Sequence, residues 1–451
     1  MASPSMSSHA VTPQHAHRPG TARAALAYPA FKWIWLGLFA SNIGTWMQNF
    51  TLPAYIDDRT HSAALVGLLV FMQLGPLLVL SIPAGVIAER FPRRGYLVTM
   101  QSVQLVFSVV LAALVAGDAP LWTLFAATLM IGVGNALGAP AFQGSMPMLV
   151  NRQDLGGAVA LNSVMINASR VIGPSLAAVL AVSGVSIAQL FLVNAVTYLF
   201  LIAAMMRVHI PDVRGDHPEH GWRRMLTGIN IAKGRPVLAR CLTTMTTFSL
   251  LSLVYIGLFP SVARLNFGID ASSGTYKWLY AVWGLGACLG ALAVGTVLAH
   301  TDKRRLIVVG FGGFAVSLAA FALVRSPGPA FPVGFVLGAF YFLTATALIS
   351  VMQHNLRDTE RTVVMPLWFM AFGGSVPIGN LAFGPVVDAI GARPVLIGGA
   401  VVALGLARYC DLRRLPAGAF LGDDGENRAG ATTPAGRDTA LVATPGAVPG
   451  R

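Results

Sequence analysis

The feature that most constrains this chain is an apolar run that recurs along it, with charged or Gly- and Pro-rich breaks between the runs. Each run has about 20 residues, the length at which a helix crosses the ~30 Å hydrocarbon layer of a bilayer. Charged residues make up only 11% of the chain, whereas soluble domains contain about 25%. One aqueous core could not bury so much apolar surface. The sequence therefore predicts an all-α membrane protein.

Twelve such runs predict twelve transmembrane helices in two groups of six. The first group covers approximately residues 31–56, 63–88, 95–116, 121–146, 156–182 and 187–206. The second group covers approximately residues 238–263, 275–299, 306–324, 332–352, 363–388 and 393–410. The two halves, 31–206 and 238–410, are expected to form two pseudo-symmetric six-helix bundles.

Polar tails are predicted at both ends of the chain. Residues 1–30 and 411–451 are polar or rich in small residues and show no periodicity, which predicts disordered cytoplasmic tails. The first thirty residues contain no basic-then-apolar start and no cleavage site, so we expect no removable signal peptide. The first span is expected to act as its own uncleaved signal.

The segment 207–237 is the longest polar connection and is predicted to be a cytoplasmic linker between the bundles. Within it, Trp222, Met225, Leu226 and Ile229 follow helical spacing, with basic residues between them. This pattern is typical of an amphipathic helix that lies on the membrane surface. A flexible linker is the alternative.

The positions of the 31 Lys and Arg residues predict the orientation in the membrane. With both termini and the linker in the cytoplasm, nearly all of these residues fall on that side, as the positive-inside rule requires. The exceptions are Arg59, Arg264, Lys277, Arg325 and Arg393 on the outer side, and Arg170 within a span. We therefore expect a multi-pass protein of the cytoplasmic (inner) membrane.

The loop after the second helix contains a motif that recurs in the second half. The first copy contains Gly85, Glu89, Arg90, Arg93 and Arg94, and the second copy begins at Gly295, 210 residues later. Such a repeat at matching points of two halves is typical of duplicated transporters. The motif resembles the loop between helices 2 and 3 of the major facilitator superfamily. Here Glu89 replaces the usual aspartate, and Pro92 replaces a glycine.

A second motif lies between residues 134 and 174. It contains Gly134-Asn135, Pro140, Gln143, Asn162-Ser163, Arg170 and Gly173-Pro174. It resembles the enterobactin-exporter-like branch of the superfamily, the transmembrane secretion effectors. The resemblance implies a secondary active transporter that exports a small amphipathic molecule (a siderophore, drug or metabolite) by alternating access coupled to the proton gradient. The alternatives are an importer, a passive facilitator or a non-transporting receptor with the same fold.

The first motif is expected to gate this movement. By the resemblance, Glu89 lies against the start of helix 11 near Thr362, where an anion meets the partial positive charge of a helix N-terminus. The alternative is that the arginines of the motif only set the topology. Gly173 and Pro174 resemble a helix 5 motif of drug/proton antiporters, and they are expected to let helices pack closely and bend.

Polar residues inside the spans are candidates for a substrate cavity, because an unpaired polar group is costly in hydrocarbon. Helix 1 provides Asn42, Thr45, Trp46, Gln48 and Asn49. The other candidates are Asn135, Gln143, Asn167, Arg170, Thr243, Thr247, Tyr255, Tyr341 and Thr344. In the family, helices 1, 4, 7 and 10 line the cavity. Hydrogen bonding between helices is the alternative role for each of them.

Charged residues in or near the spans are the remaining candidates. Arg170 is the only basic residue inside a first-half span, and no carboxylate lies deep enough in any span to pair with it. Asp57, Asp58 and Asp388 lie at the outer ends of helices 1 and 11 and are candidates for proton coupling. Simple solvation at the membrane surface is the alternative for these carboxylates.

The sequence contains no metal-ligand spacing, no nucleotide-binding loop and no nucleophile elbow. We therefore expect neither an enzyme nor a cofactor or metal. The expected partners are a small-molecule substrate, the lipid bilayer and protons, without nucleic acid, and the chain is expected to act as a monomer.

Overall fold

The computed structural model describes residues 18–208, 210, 222–416 and 419–420, and every regular element in these ranges is a helix. The six long helices of the first half are α1 (Pro29–Thr60), α2 (Ala63–Arg90), α3 (Arg93–Ala116), α4 (Leu121–Ser145), α5 (Leu155–Val182) and α6 (Ile187–Arg207). In the second half, the continuous helices are α8 (Gly274–Gly295), α9 (Lys303–Leu323), α10 (Pro327–His354) and α12 (Ala392–Tyr409).

The helices α7 and α11 are each interrupted by a five-residue π-helical turn. The pieces of α7 are Pro236–Thr247, the turn Phe248–Ser252, Val254–Gly257 and Phe259–Phe267. The pieces of α11 are Asp358–Phe369, the turn Met370–Gly374 and Ser375–Ile390. Such wide turns inside α-helices are frequent at functional sites.

All twelve predicted helices are present. Ten of them, within the described ranges, are long and apolar enough to cross a membrane. The other two are α1 and α7. The polar side chains of α1 lower its hydropathy, and the π-helical turn divides α7 into short pieces. The chain is therefore a multi-pass membrane protein.

Some helix boundaries differ from the prediction by a few residues. Helix α1 continues past residue 56 to Thr60 and ends where His61 adopts a left-handed conformation (φ 52°). It can include the charged Asp57 because this residue is paired, as described below. Helix α10 begins at Pro327, not at residue 332, because proline fits the first turn of a helix, where its missing N–H is not needed.

Part of each predicted tail makes contacts next to the bundles. A short helix, Ala22–Leu26, precedes α1. The backbone N–H of Gly20 and the hydroxyl of Tyr28 both donate to the buried carboxylate of Asp154, at 2.9 and 2.8 Å. At the other end of the chain, the Arg304 guanidinium lies 3.8 Å from the ring centroid of Phe420. The remaining tail residues, 1–17, 417–418 and 421–451, lie outside the described ranges.

The linker contains a helix, Trp222–Gly234, that packs against the first piece of α11. The contact is close, because a Cβ atom at Gly228 would lie 2.5 Å from the carbonyl oxygen of Val363. Leu226 is exposed. We call the end of the molecule at which this segment joins the bundles the linker end. The opposite end, where α1 ends and α2 begins, is the distal end.

Glycines allow the closest helix contacts. A Cβ atom at Gly173 of α5 would lie 2.8 Å from the backbone of Ile43 and Met47 in α1, as expected for a glycine that lets two helices approach. Between the bundles, α2 and α11 meet in the same way. A Cβ atom at Gly67 would lie 2.3 Å from the carbonyl oxygen of Asn380, and one at Gly384 would lie 2.7 Å from that of Ala63.

Candidate substrate cavity and distal contacts

A cavity of about 270 Å³ lies between the two bundles. The first bundle contributes side chains from α1, α2 and α5, and the second from α7, α8, α10 and α11. Its lining residues are Trp46, Leu74, Leu77, Arg170, Ile256, Tyr280, Trp283, Gly284, Ala287, Cys288, Tyr341, Phe342, Phe369, Phe372, Gly373 and Val376. Of the predicted cavity residues, the structure brings Trp46, Arg170 and Tyr341 to this cavity.

Arg170 is the one charged residue among the residues that line the cavity. Its guanidinium carbon lies 5.0 Å from the ring centroid of Trp46, 4.9 Å from that of Phe342 and 6.0 Å from that of Phe372. These are distances at which a cation interacts with an aromatic face. The Nε atom of Arg170 is buried and has no hydrogen-bond partner in the described part of the chain. Among the described residues, aromatic rings and not a carboxylate therefore surround this cation.

The other aromatic residues form one wall of the cavity. Trp283 and Tyr341 stack with ring centroids 6.1 Å apart. The indole N–H of Trp283 donates to the hydroxyl of the fully buried Tyr255 at 3.2 Å. The sequence had suggested that Tyr255 lines the cavity. In the structure it lies behind the wall and supports it. Tyr280, Trp283 and Phe372 were not predicted from the sequence. Polarity was the criterion for a cavity residue, and α8 and α11 were not expected to line the cavity.

Two polar residues of α1 lie in the interior of the first bundle, in contrast to the prediction. Gln48 is only 1% exposed, and its Oε1 atom accepts hydrogen bonds from Ser108 (2.9 Å) and Asn194 (2.8 Å). The hydroxyl groups of Thr45 and Tyr198 lie 3.1 Å apart. These contacts join α1 to α3 and α6, so the amide and the hydroxyl connect helices and do not line the cavity.

The remaining polar candidates also lie outside the cavity lining. Asn49 accepts from Gln73, Asn42 donates to the carbonyl of Leu38, and the buried Thr344 donates to the carbonyl of Phe340. Asn135 and Thr243 are exposed, and Thr247 is half-buried. The side chains of Gln143 and Asn167 lie outside the described part of the structure. Asn42 and Thr344 each donate to a backbone carbonyl one turn earlier in the same helix. The sequence alone does not show whether such a side chain bonds to its own helix or to a ligand.

The structure describes the gating motif only in part, because the surroundings of Gly85 and the side chains of Glu89 and Thr362 lie outside the described residues. Arg90 is exposed. Arg93 contacts the sulfur of Met148 at 3.5 Å, and Arg94 donates to the carbonyl of Met206. A Cβ atom at Gly295 would meet nothing within 4 Å. The gating role therefore stays a prediction. Pro174 lies inside α5, directly after the packing glycine Gly173.

Asp57, a candidate for proton coupling, is fully buried at the distal end, so it is not solvated at the membrane surface, which was the alternative for this carboxylate. Its two oxygens accept from the Arg264 Nε and Nη2 atoms at 2.9 and 3.1 Å, and Oδ1 also accepts from the Ser261 hydroxyl at 2.5 Å. Arg264 and Ser261 belong to α7, whereas Asp57 belongs to α1. This buried ion pair therefore joins the two bundles.

Asp388 of α11 makes a second contact between the bundles at the distal end. Its carboxylate accepts from the Ser62 hydroxyl at 2.8 Å and from the backbone N–H groups of Ala63 and Ala64 at 2.7 and 2.9 Å. An anion at a helix N-terminus satisfies its free N–H groups, so Asp388 caps α2 from the opposite bundle. The exposed Asp58 accepts one bond, from Ser272 at 3.1 Å.

Comparisons with known proteins agree with this architecture. The family model for transmembrane secretion effectors matches residues 20–428. Enterobactin exporters of Shigella boydii serotype 4 and Escherichia coli (strain SMS-3-5) are each 26% identical over 343 residues, which cover 75% of this chain and 79% of the relative.

Solved structures share the fold at low identity. A bacterial homologue of the lysosomal transporter Spinster has a TM-score of 0.68 at 14% identity, covering 88% of this chain and 98% of that one. The nucleoside transporter NupG has a TM-score of 0.64 at 13% identity, covering 84% and 97%. The chain is thus a membrane transporter and not an enzyme. It belongs to the transmembrane secretion effector family of the major facilitator superfamily.

Proposed function

We propose that this transporter exports a small amphipathic molecule across the cytoplasmic membrane by alternating access, driven by the proton gradient. Transport runs from the linker end to the distal end, with the linker and both termini in the cytoplasm, as the Lys and Arg distribution predicts. The relatives named as enterobactin exporters support the outward direction.

One observation carries this proposal: the cavity lies between the bundles, and polar side chains join the bundles at its distal end. Hydrogen bonds and ion pairs at this end can be exchanged for bonds to water when the bundles separate. Alternating access requires such a separation on one side of a central site. In the state described here, the contacts of Asp57 and Asp388 close the distal end.

The bonding of Asp57 supports a gating role better than a role as proton carrier. A proton-driven exporter returns to its distally closed state with the proton bound, so protonation must favour that state. Protonation of Asp57 would do the opposite, because it removes the charge that pairs with Arg264. We therefore assign Asp57 to the closing of the distal end.

The function is tested first in cells that carry or lack the chain. Mass spectrometry of medium and cytosol should reveal a compound that accumulates inside, and disappears from the medium, when the chain is absent. Purified protein in vesicles should then move this compound against its gradient when a pH gradient is imposed, and an ionophore should abolish the movement. Depletion of the compound from the cytosol of cells lacking the chain would indicate import and refute the proposal.

A pair of introduced cysteines tests whether the bundles must separate at the distal end during transport. Ser62 and Asp388 are 2.8 Å apart between Oγ and Oδ2, so Ser62→Cys with Asp388→Cys should form a disulfide under mild oxidation. The oxidised double variant should not transport, reduction should restore its flux, and each single variant should be insensitive to the oxidant. Undiminished transport by the oxidised protein would contradict separation of the bundles at this end.

A further inference from the structure

The cavity contains a cation that the described residues leave without a counter-ion, and this points to the charge of its ligand. We propose that the cavity binds an organic anion with a planar aromatic body and that Arg170 pairs with the anionic group. The inference rests on the proposed function in one respect: the ligand is taken to be the exported molecule.

The surroundings of Arg170 determine the charge that the ligand should carry. A cation inside a membrane protein is costly unless it is paired, and the residues that line the cavity include no carboxylate. The two carboxylates that join the bundles at the distal end are already engaged, Asp57 with Arg264 and Asp388 with the start of α2. With no carboxylate among the described residues that line the cavity, we assign the negative charge next to Arg170 to the occupant of the cavity.

The hydrogen-bonding capacity of Arg170 specifies the anionic group further. A guanidinium has five N–H donors in a planar fork, which fits a carboxylate or a similar oxyanion through two parallel hydrogen bonds. The Nε donor of Arg170 is buried and has no partner among the described residues. An oxyanion that approached this edge of the guanidinium would satisfy the donor and neutralise the charge together.

The lining of the cavity specifies the body of the ligand. Apart from Arg170, the lining consists mainly of aromatic and aliphatic side chains, with Tyr280, Trp283 and Tyr341 forming a wall. Planar rings pack well against such faces. The volume of about 270 Å³ lies just below the range of about 300–1,000 Å³ typical of small-molecule sites. A ligand with one or two aromatic rings therefore fits this state.

Arg170 also links ligand binding to the contact between bundles. It belongs to the first bundle, whereas Phe342 and Phe372 belong to the second and lie 4.9 and 6.0 Å from its guanidinium carbon. An oxyanion that binds the guanidinium competes with these aromatic faces for the same charge. Binding of an anion therefore weakens one contact between the bundles near the cavity.

The test measures binding to the purified full-length protein in detergent micelles by titration calorimetry. The probes are naphthoate, its neutral amide naphthamide, and the non-aromatic anion octanoate. Naphthoate should bind at least about tenfold more tightly than naphthamide, equivalent to about 1.4 kcal/mol, and more tightly than octanoate. Equal binding of acid and amide, or no binding of naphthoate, would overturn the proposal for the charge. Equal binding of octanoate would overturn the aromatic part.

Substitutions assign the effect to one side chain. Arg170→Gln should reduce the preference for acid over amide to about twofold or less. Arg59→Gln, an equal change at the distal surface, where Arg59 pairs with the exposed Asp118, should retain the preference. If Arg170→Gln does not give a folded protein, Arg170→Lys replaces it, and this variant should keep the preference because it keeps the charge. An unchanged preference in Arg170→Gln, or a lost preference in Arg170→Lys, refutes the assignment.

The binding assay separates this inference from the proposed function, because it involves no flux. Selective naphthoate binding by a protein that exports nothing would refute export and leave the site assignment intact. Export of cationic compounds only, without naphthoate binding, would refute the assignment and leave export intact.

Discussion

Neutralising Asp57 should open the distal end of the transporter. Asp57→Asn changes one oxygen to an NH₂ group, so the packing of α1 against α7 is retained while the charge is lost. The carboxylate accepts three charge-assisted hydrogen bonds, two from Arg264 and one from Ser261. Removal of one partner from a buried ion pair costs roughly 3–5 kcal/mol.

Partial hydration of Arg264 reduces this cost. Its side chain is 18% exposed, so water solvates part of the charge that loses its partner. We therefore expect the substitution to destabilise the distally closed state by about 2–3 kcal/mol. This free energy corresponds to a shift of about 30- to 150-fold in the equilibrium between closed and open states.

Distances between spin labels at the distal end measure this shift. Ser183 and Ser326 are exposed in distal loops of the two bundles and can be replaced with cysteine after the three native cysteines are removed. Pulsed electron paramagnetic resonance on the purified protein should show a population with a longer distance between positions 183 and 326 in Asp57→Asn. This population should be rare in the parent protein. The readout does not depend on the orientation in the membrane.

Two further variants make the result decisive. Asp58→Asn removes a neighbouring exposed carboxylate that accepts a single bond, so it should shift the equilibrium by less than about threefold. Arg264→Gln should open the distal end by itself but add little to Asp57→Asn, because both changes break the same pair. If Asp57→Asn leaves the distance distribution unchanged, or if Asp58→Asn has the same effect, the reasoning is wrong.

Three other predictions concern the gate, the first bundle and the topology. Glu89→Gln should slow flux while protein abundance stays near normal, since loss of a bias of about 1 kcal/mol shifts populations roughly fivefold; a normal rate would contradict the gating role. Gln48→Leu should lower the thermal stability of the detergent-solubilised protein, because Ser108 and Asn194 each lose their shortest hydrogen bond, worth about 0.5–1.5 kcal/mol, and keep only the longer bonds to Phe191, or to Tyr198 and each other; unchanged stability would contradict the buried network. A cysteine at position 223 should stay unlabelled by an impermeant thiol reagent on intact cells, and labelling would reverse the assigned orientation.

The helices could be predicted because the bilayer imposes a minimum length on each span. The break in α7 could not, since the sequence of Phe248–Ser252 has no breaker that separates a π-helical turn from an α-helical one. Polarity selected Arg170, which lines the cavity, but it also selected Gln48, which does not. Both side chains are costly in hydrocarbon when they have no hydrogen-bond partner. Only the fold shows that Asn194 and Ser108 donate hydrogen bonds to Gln48.

The partners of the distal carboxylates could not be predicted from the sequence either. Asp57 and Arg264 are separated by 207 positions, and nothing in the local sequence of either indicates a partner. The sequence therefore predicted carboxylates at a helix end but not the ion pair that buries one of them. Tyr280, Trp283 and Phe372 of the cavity were missed for a different reason, because polarity was the criterion for a cavity residue and α8 and α11 were not expected to line the cavity.

The contact between α2 and α11 offers a way to trap the transporter in one conformation. Gly67 and Gly384 approach backbone carbonyl oxygens so closely that a single methyl group would clash, and this clash exists only while the two helices touch. Alanine at either position would therefore act as a wedge that penalises the closed arrangement and leaves the separated one unstrained. Such wedge variants, which alter no charge and touch no residue of the cavity, would enrich the opposite conformation for structure determination.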